Sequence, residues 1–194
     1  MRTLIRWAGD DPGRPGLLDT PDRVLRSFDE AYSGYGQDPR RLLEASSTEA
    51  LDQDLVVVRG IRFASRFDEN MVPLIGDALV AYLPARRALD ASALGAAVDV
   101  LSHRLQNPNA MATLLAAAID DSIRPLGAVV LIRSVRVAAM MSPGSTEAAI
   151  KLDAAYTGTL RRPSPWHERL SSLIRKEPPI RIGPGGETRH GCLA

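Results

Sequence analysis

Apolar residues along this chain change their spacing in the order helix, two strands, two helices, two strands, helix, and that order limits the fold more than any single motif does. Leu17-Leu18-Asp19-Thr20-Pro21 opens the first helix, with Thr20 as cap and Pro21 at the first position, where no amide hydrogen is needed. Val24, Leu25, Phe28, Ala31 and Tyr32 share one face of it, and Gly34 and Gly36 end it. Residues 37–53 read as loop with a short helical turn. Strand candidates begin at Leu55, in a β-branched run, and at Ile61. Gly76 then breaks the chain before a third apolar run, Ala78 to Leu83, stopped by Pro84. Ser92 caps the next helix, whose inward residues are Leu94, Val98, Leu101 and Leu105. Asn107-Pro108 starts another, which turns Met111, Leu114, Leu115, Ala118, Ile119 and Ile123 inward and ends at Pro125-Leu126-Gly127. Ala128 to Met141 is a long strand and Ala148 to Tyr156 its partner. Ser164-Pro165 opens a last helix carrying Trp166, Leu170, Leu173 and Ile174.

Four strands with two helices on one face make an α+β unit, ββααββ with a helix at each end, whose sheet has two unpaired edges. Natural proteins cover or pair such edges. A ring of subunits that joins their sheets into one barrel does this, so a homo-oligomer is expected. With 194 residues, 45% hydrophobic and 24% charged, the chain suits one globular domain with its own core. The expected boundaries are an arm over 1–16, a domain over 17–176 and a polar, flexible tail over 177–194. A net charge of +1 gives no bulk attraction to nucleic acid or to an anionic membrane. No apolar run reaches the roughly 18 residues of a membrane span, and Met1 to Asp10 lacks a signal-peptide apolar region. Cys192 is the only cysteine, which rules out an internal disulfide and makes a cytoplasmic location the expectation.

Four stretches, in this order and spacing, resemble the GTP cyclohydrolase I family over roughly residues 17–175. They are Leu17 to Val24, Gly76 to Pro84, Val98 to Gln106 by way of Asp99, Val100, Leu101, Arg104 and Leu105, and Pro125 to Val130. The resemblance implies a tunnelling fold, in which pentameric barrels stack into decamers. It also implies a zinc-bound water that attacks a purine ring. Zinc of that kind is held by N and S ligands with one position left for water.

Here the resemblance meets a chain without the ligands. The family's Cys-Glu-His-His run aligns with Phe67-Asp68-Glu69-Asn70, and its later cysteine with Ala138. The two proton-transfer histidines align with Glu69 and Arg136, the acid that grips guanine with Asn109, and the triphosphate lysine with Ala93. Arg23 and Ser92 are the main polar survivors. No metal and no cofactor is therefore expected, and zinc-dependent GTP hydrolysis is not.

The residues left behind suggest an apolar pocket with a few converging polar groups, the usual form of a small-molecule site. Glu69, Arg136 and Asp68 are the candidate catalytic residues, in acid–base chemistry such as a cyclisation. Phe67, Asn70, Met71, Ser92, Asn109, Met140 and Arg23 are the candidate ligand contacts. Bland readings stand beside these. A Glu69–Arg136 pair is more often an interface ion pair than a catalytic one. Met140 and Met141 are successive strand residues, so only one can face a pocket. Asn107, Asn109 and Ser92 sit where helix capping is the commonest job. His103, His167 and His190 make no metal spacing, and His103 reads as solvent-facing. Two functions stay open: a small-molecule enzyme or binder of specialised metabolism, working between subunits, or an inactive relative that serves as a structural or regulatory partner.

Overall fold

A computed structural model describes residues 1–136, 150–162, 165–166, 169–170 and 172. The candidates Met140, Met141 and Ala138 and the tail over 177–194 lie outside them, as do His167, His190 and Cys192.

The two strand candidates at Leu55 and Ile61 are one strand, β2 (Val56–Phe67). Its register against β3 (Pro73–Leu83) slips between Val58 and Ile61, where Gly60 takes a φ of +72°. A glycine in the left-handed region is how a strand takes an extra residue without ending. Nor does Gly76 break the chain, because it lies inside β3. A β-carbon there would run into the Arg133 carbonyl and the Phe63 ring, so the residue is small to let neighbouring strands approach.

The sheet has the order β5-β2-β3-β6-β7, with β6 (Gly127–Arg136) and β7 (Lys151–Tyr156). The four long strands pair antiparallel. The two-residue β5 (Leu105–Gln106) joins β2 in parallel, so Leu105 ends up in a strand and not on the preceding helix. A separate small ladder pairs β1 (Ser47–Glu49) with β4 (Arg87–Leu89). Tyr82 anchors it, since its buried hydroxyl donates to the Leu89 carbonyl at 3.0 Å and accepts from the Leu89 N–H at 2.7 Å.

The helices with described bounds are α1 (Arg2–Trp7), α2 (Thr20–Ala31), α3 (Pro39–Ala45), α4 (Ala91–Ser102) and α5 (Pro108–Ile123). Helices α3 and α5 begin by one device. Asp38 and Asn107 each accept an amide hydrogen two residues on, and a proline fills the first position. Two caps differ from expectation. Asp90, not Ser92, caps α4, and Thr20 is the first helical residue of α2, behind Asp19.

Buried side chains of α4 and α5 pack on one sheet face, where Leu94, Val98, Leu101, Met111, Leu115 and Ile119 meet Phe63, Leu74, Val80 and Ile132. Leu114 is the exception to the expected inward set, at 47% exposed. A second cluster covers the other face, with Leu79, Ala81, Val129 and Leu131 against Leu160 and Leu170. This is the expected α+β arrangement of strands and helices.

Candidate functional site

The stretch with the missing ligands is the connection between β2 and β3. Phe67, its first residue, is buried. The Phe67 N–H donates to the Val72 carbonyl at 2.9 Å, and the Met71 N–H returns to the Phe67 carbonyl at 2.8 Å. The Val72 N–H donates to the Asn70 side-chain oxygen at 3.2 Å. Met71 holds a φ of +58°, a costly conformation for a residue with a β-carbon. From outside, the Asp68 N–H donates to the Gln106 carbonyl at 3.1 Å, which ties the turn to β5. Four hydrogen bonds thus hold the stretch from Phe67 to Val72, and the turn is a built feature.

Its side chains divide sharply. Phe67 points into the protein, while Asp68, Glu69, Asn70 and Met71 are exposed. Arg136, the proposed partner of Glu69, stands opposite Leu74 in the β3–β6 ladder, and Leu74 stands opposite Ser65. Its backbone is therefore at the same end of the sheet as the turn. The other candidates are elsewhere. Arg23 is exposed on α2 and lies 3.5 Å from Asp19. The Ser92 hydroxyl donates to the Asp90 carboxylate at 2.7 Å. Asn109 is exposed in the first turn of α5, and its N–H donates to Asn107. Within one protomer, then, the structure brings Phe67, Asp68, Glu69, Asn70 and Met71 together by sequence adjacency, with the Arg136 backbone at the same sheet end. Arg23, Ser92 and Asn109 belong to helix starts.

Neither position aligned with a zinc ligand in this turn suits the metal. Phe67 offers only carbon, and the Asn70 oxygen already accepts a backbone hydrogen bond. Asp68 and Glu69 supply carboxylates alone, and among the described residues no three His, Cys, Asp or Glu side chains gather. The donor set does not fit zinc, which takes soft S and N ligands in closed clusters.

Several polar side chains near the turn escaped sequence reasoning. Arg133 and Asp77, opposite each other on β6 and β3, form a two-pronged ion pair at 2.9 and 2.8 Å, largely out of solvent. Such a pair holds two strands in one register and is costly to break from one side. Arg104 clamps the turn after α2, donating to the Gly34 and Gln37 carbonyls at 3.0 and 2.7 Å. Arg66 lies over the Phe28 ring, 5.7 Å from its centre. With Ser27, Glu30, Ser65, Pro73 and His103 it lines a cavity of about 360 Å³ beside the turn, and none of the candidate residues lines that cavity. His103 is partly exposed, with Nδ1 2.9 Å from the Asp99 carbonyl oxygen. The signals for these contacts are pairings across strands or between distant turns, which spacing along the chain does not carry.

Comparison with known proteins adds the lineage. The family model described as GTP cyclohydrolase I matches residues 1–175. A protein of Brucella suis named GTP cyclohydrolase 1 is 34% identical over 176 residues, covering 90% of this chain and 83% of its own length. One of Brucella canis with the same name is 33% identical over the same shares. Among solved structures, the archaeosine synthase QueF-Like in the apo form matches with a TM-score of 0.46 at 17% identity, over 55% of this chain and 96% of its own.

Proposed function

This chain belongs to the GTP cyclohydrolase I family, and we propose that it is a member from which the zinc chemistry has been removed while the scaffold was kept. Its fold is that family's tunnelling fold. The reading proposed is a metal-independent enzyme or binder of a small molecule less charged than GTP. Its pocket would be completed by a second copy of the chain, with Glu69 as the proton-handling group, Arg136 its charged partner and Asp68 beside them. The observation that carries this is the β2–β3 turn. It is locked by backbone hydrogen bonds, it buries a phenylalanine where the resemblance puts a metal ligand, and it leaves two carboxylates free in solvent.

A second reading rests on a separate observation. The side chains of Arg23 and Ser92, the polar survivors, face Asp19 and Asp90 at their own helix starts. An inactive subunit that supports an active paralogue would keep such residues for folding alone.

The test uses the full chain, purified from a host lacking its own cyclohydrolase. Elemental analysis should find no stoichiometric zinc after mild chelation, and GTP should remain unconverted. About one zinc per subunit, or turnover of GTP above the no-enzyme rate, overturns the proposal. Glu69→Gln then separates the two readings, since a loosened oligomer supports the structural partner and an unchanged oligomer supports the small-molecule site.

A further inference from the structure

Arg86, Arg87 and Arg124 line one open cavity of about 500 Å³, together with Glu44, Asp121, Ser122 and Ile123. The cavity lies where three elements end. Glu44 belongs to α3, Arg86 to the bend between β3 and β4, Arg87 to β4, and Arg124 caps α5. Arg86 follows the Leu83 end of β3, whereas the β2–β3 turn precedes its Pro73 end. An 11-residue strand is about 33 Å long at the usual rise. The cavity is therefore at the opposite end of the sheet from the site discussed above.

Three guanidinium groups around one space repel each other unless something offsets them. Asp121 is engaged by Arg40 at 3.1 Å, from outside the cavity. Glu44 and Asp121 are thus two acidic residues set against three arginines, and one of the two already has a cation of its own. Arg87 spends one donor on the Glu44 carbonyl at 3.1 Å. Arg86 and Arg124 have no side-chain hydrogen bond or ion pair to any described residue. Arg124 also holds a φ of +44° and ψ of +61°. Glycine or asparagine usually takes that position after a helix. The negative end of the α5 dipole accounts for one cation there, but not for Arg86 and Arg87, which arrive from another part of the chain.

We infer that this cavity is a binding site for the phosphate tail of a small molecule. Arginine presents a planar fork of donors that matches phosphate oxygens two at a time. Three forks with ten or more unused donors suit a polyanion better than a single chloride or carboxylate. The volume lies within the range of small-molecule sites and exceeds what inorganic phosphate alone would fill.

Calorimetry on the full chain at low ionic strength, with tripolyphosphate and inorganic phosphate as probes, tests this. Tripolyphosphate should bind at least tenfold more tightly than phosphate. Arg86→Gln and Arg124→Asn should each weaken it tenfold or more. Asparagine suits the left-handed backbone, so the second variant removes the charge without straining the fold. Arg26→Gln, on the exposed face of α2, is the control and should leave the affinity unchanged. No measurable tripolyphosphate binding, equal affinity in the two cavity variants and the parent, or an equal loss in the Arg26 variant would each overturn the assignment. If one cavity variant fails to fold, the other decides.

Discussion

Asp90 holds the start of α4 in a way that Ser92 alone does not. Its carboxylate accepts the Ala93 N–H at 2.7 Å and the Ser92 hydroxyl at 2.7 Å. The Ala93 amide, and then the Ser92 hydroxyl, hold the Asp90 carboxyl below its usual range. A pKa lowered by folding means stability that is present above the unfolded value, about 3.9 for Asp, and is lost as pH falls through the folded one. Asp90→Ala should therefore cost about 1 kcal/mol at pH 7, and the gap should begin to narrow as pH falls below about 4. Urea melts of both proteins at pH 7 and pH 3 measure it. A gap that does not change with pH would mean the carboxylate is not the cap. At this scale the sequence carries the chemistry of single residues and not their meeting in space, for Arg23, Ser92 and Asn109 stand apart from the β2–β3 turn. Phe67 and Asn70 disqualify a zinc ligand by their chemistry, whatever fold surrounds them. The Asp77–Arg133 pair was not legible, because it exists only once β3 and β6 are in register.

Whole elements were legible where their period is long. Helices α4 and α5 stand out by several inward turns each, and β6 by a run of apolar residues. The two errors in the strands both lie at a glycine. Gly60 lets β2 continue through a bulge, and Gly76 lets β6 and Phe63 come close to β3. The short ladders β1–β4 and β5–β2 join residues about 40 apart, and two or three residues have no period to detect. The two kinds of glycine can be separated by substitution. Gly76→Ala pushes a methyl group into the Arg133 carbonyl and the Phe63 ring. Overpacking of that kind costs about 1–3 kcal/mol. Gly95→Ala, inside α4 with open space at its β-carbon, should instead stabilise by about 0.4–1 kcal/mol. Thermal melts should move in opposite directions. A Gly76 variant as stable as the parent would place β6 farther from β3 than described here.

The outer strand of the sheet carries the argument for assembly. Among the described residues β7 is the outermost strand of the sheet, and natural proteins pair or cover such an edge. Ile150, Leu152 and Tyr156 recur on one side of this strand, and 50%, 52% and 39% of their surfaces are exposed. On the alternate side Asp153 is buried and lies 3.1 Å from Lys151, and one of its oxygens is buried with no hydrogen-bond partner among the described residues. An apolar edge beside an unsatisfied buried carboxylate is a poor boundary with water and a good one with another subunit. Fully burying a leucine is worth about 1.5–3 kcal/mol, and in a closed ring every subunit gains it once per interface. A homo-oligomer that closes the sheets into a barrel is the proposal that follows, with ten subunits expected. Light scattering at micromolar concentration should give a mass several times the 21.0 kDa of one chain. Leu152→Glu puts a charge in the centre of that edge, where burial without a partner is costly. It should shift the mass towards one chain and leave the far-ultraviolet circular dichroism unchanged, since Leu152 is half outside the protomer's own core. A parent protein that is monomeric under these conditions would sink the closed barrel, and with it the pocket between subunits on which Glu69 and Arg136 depend.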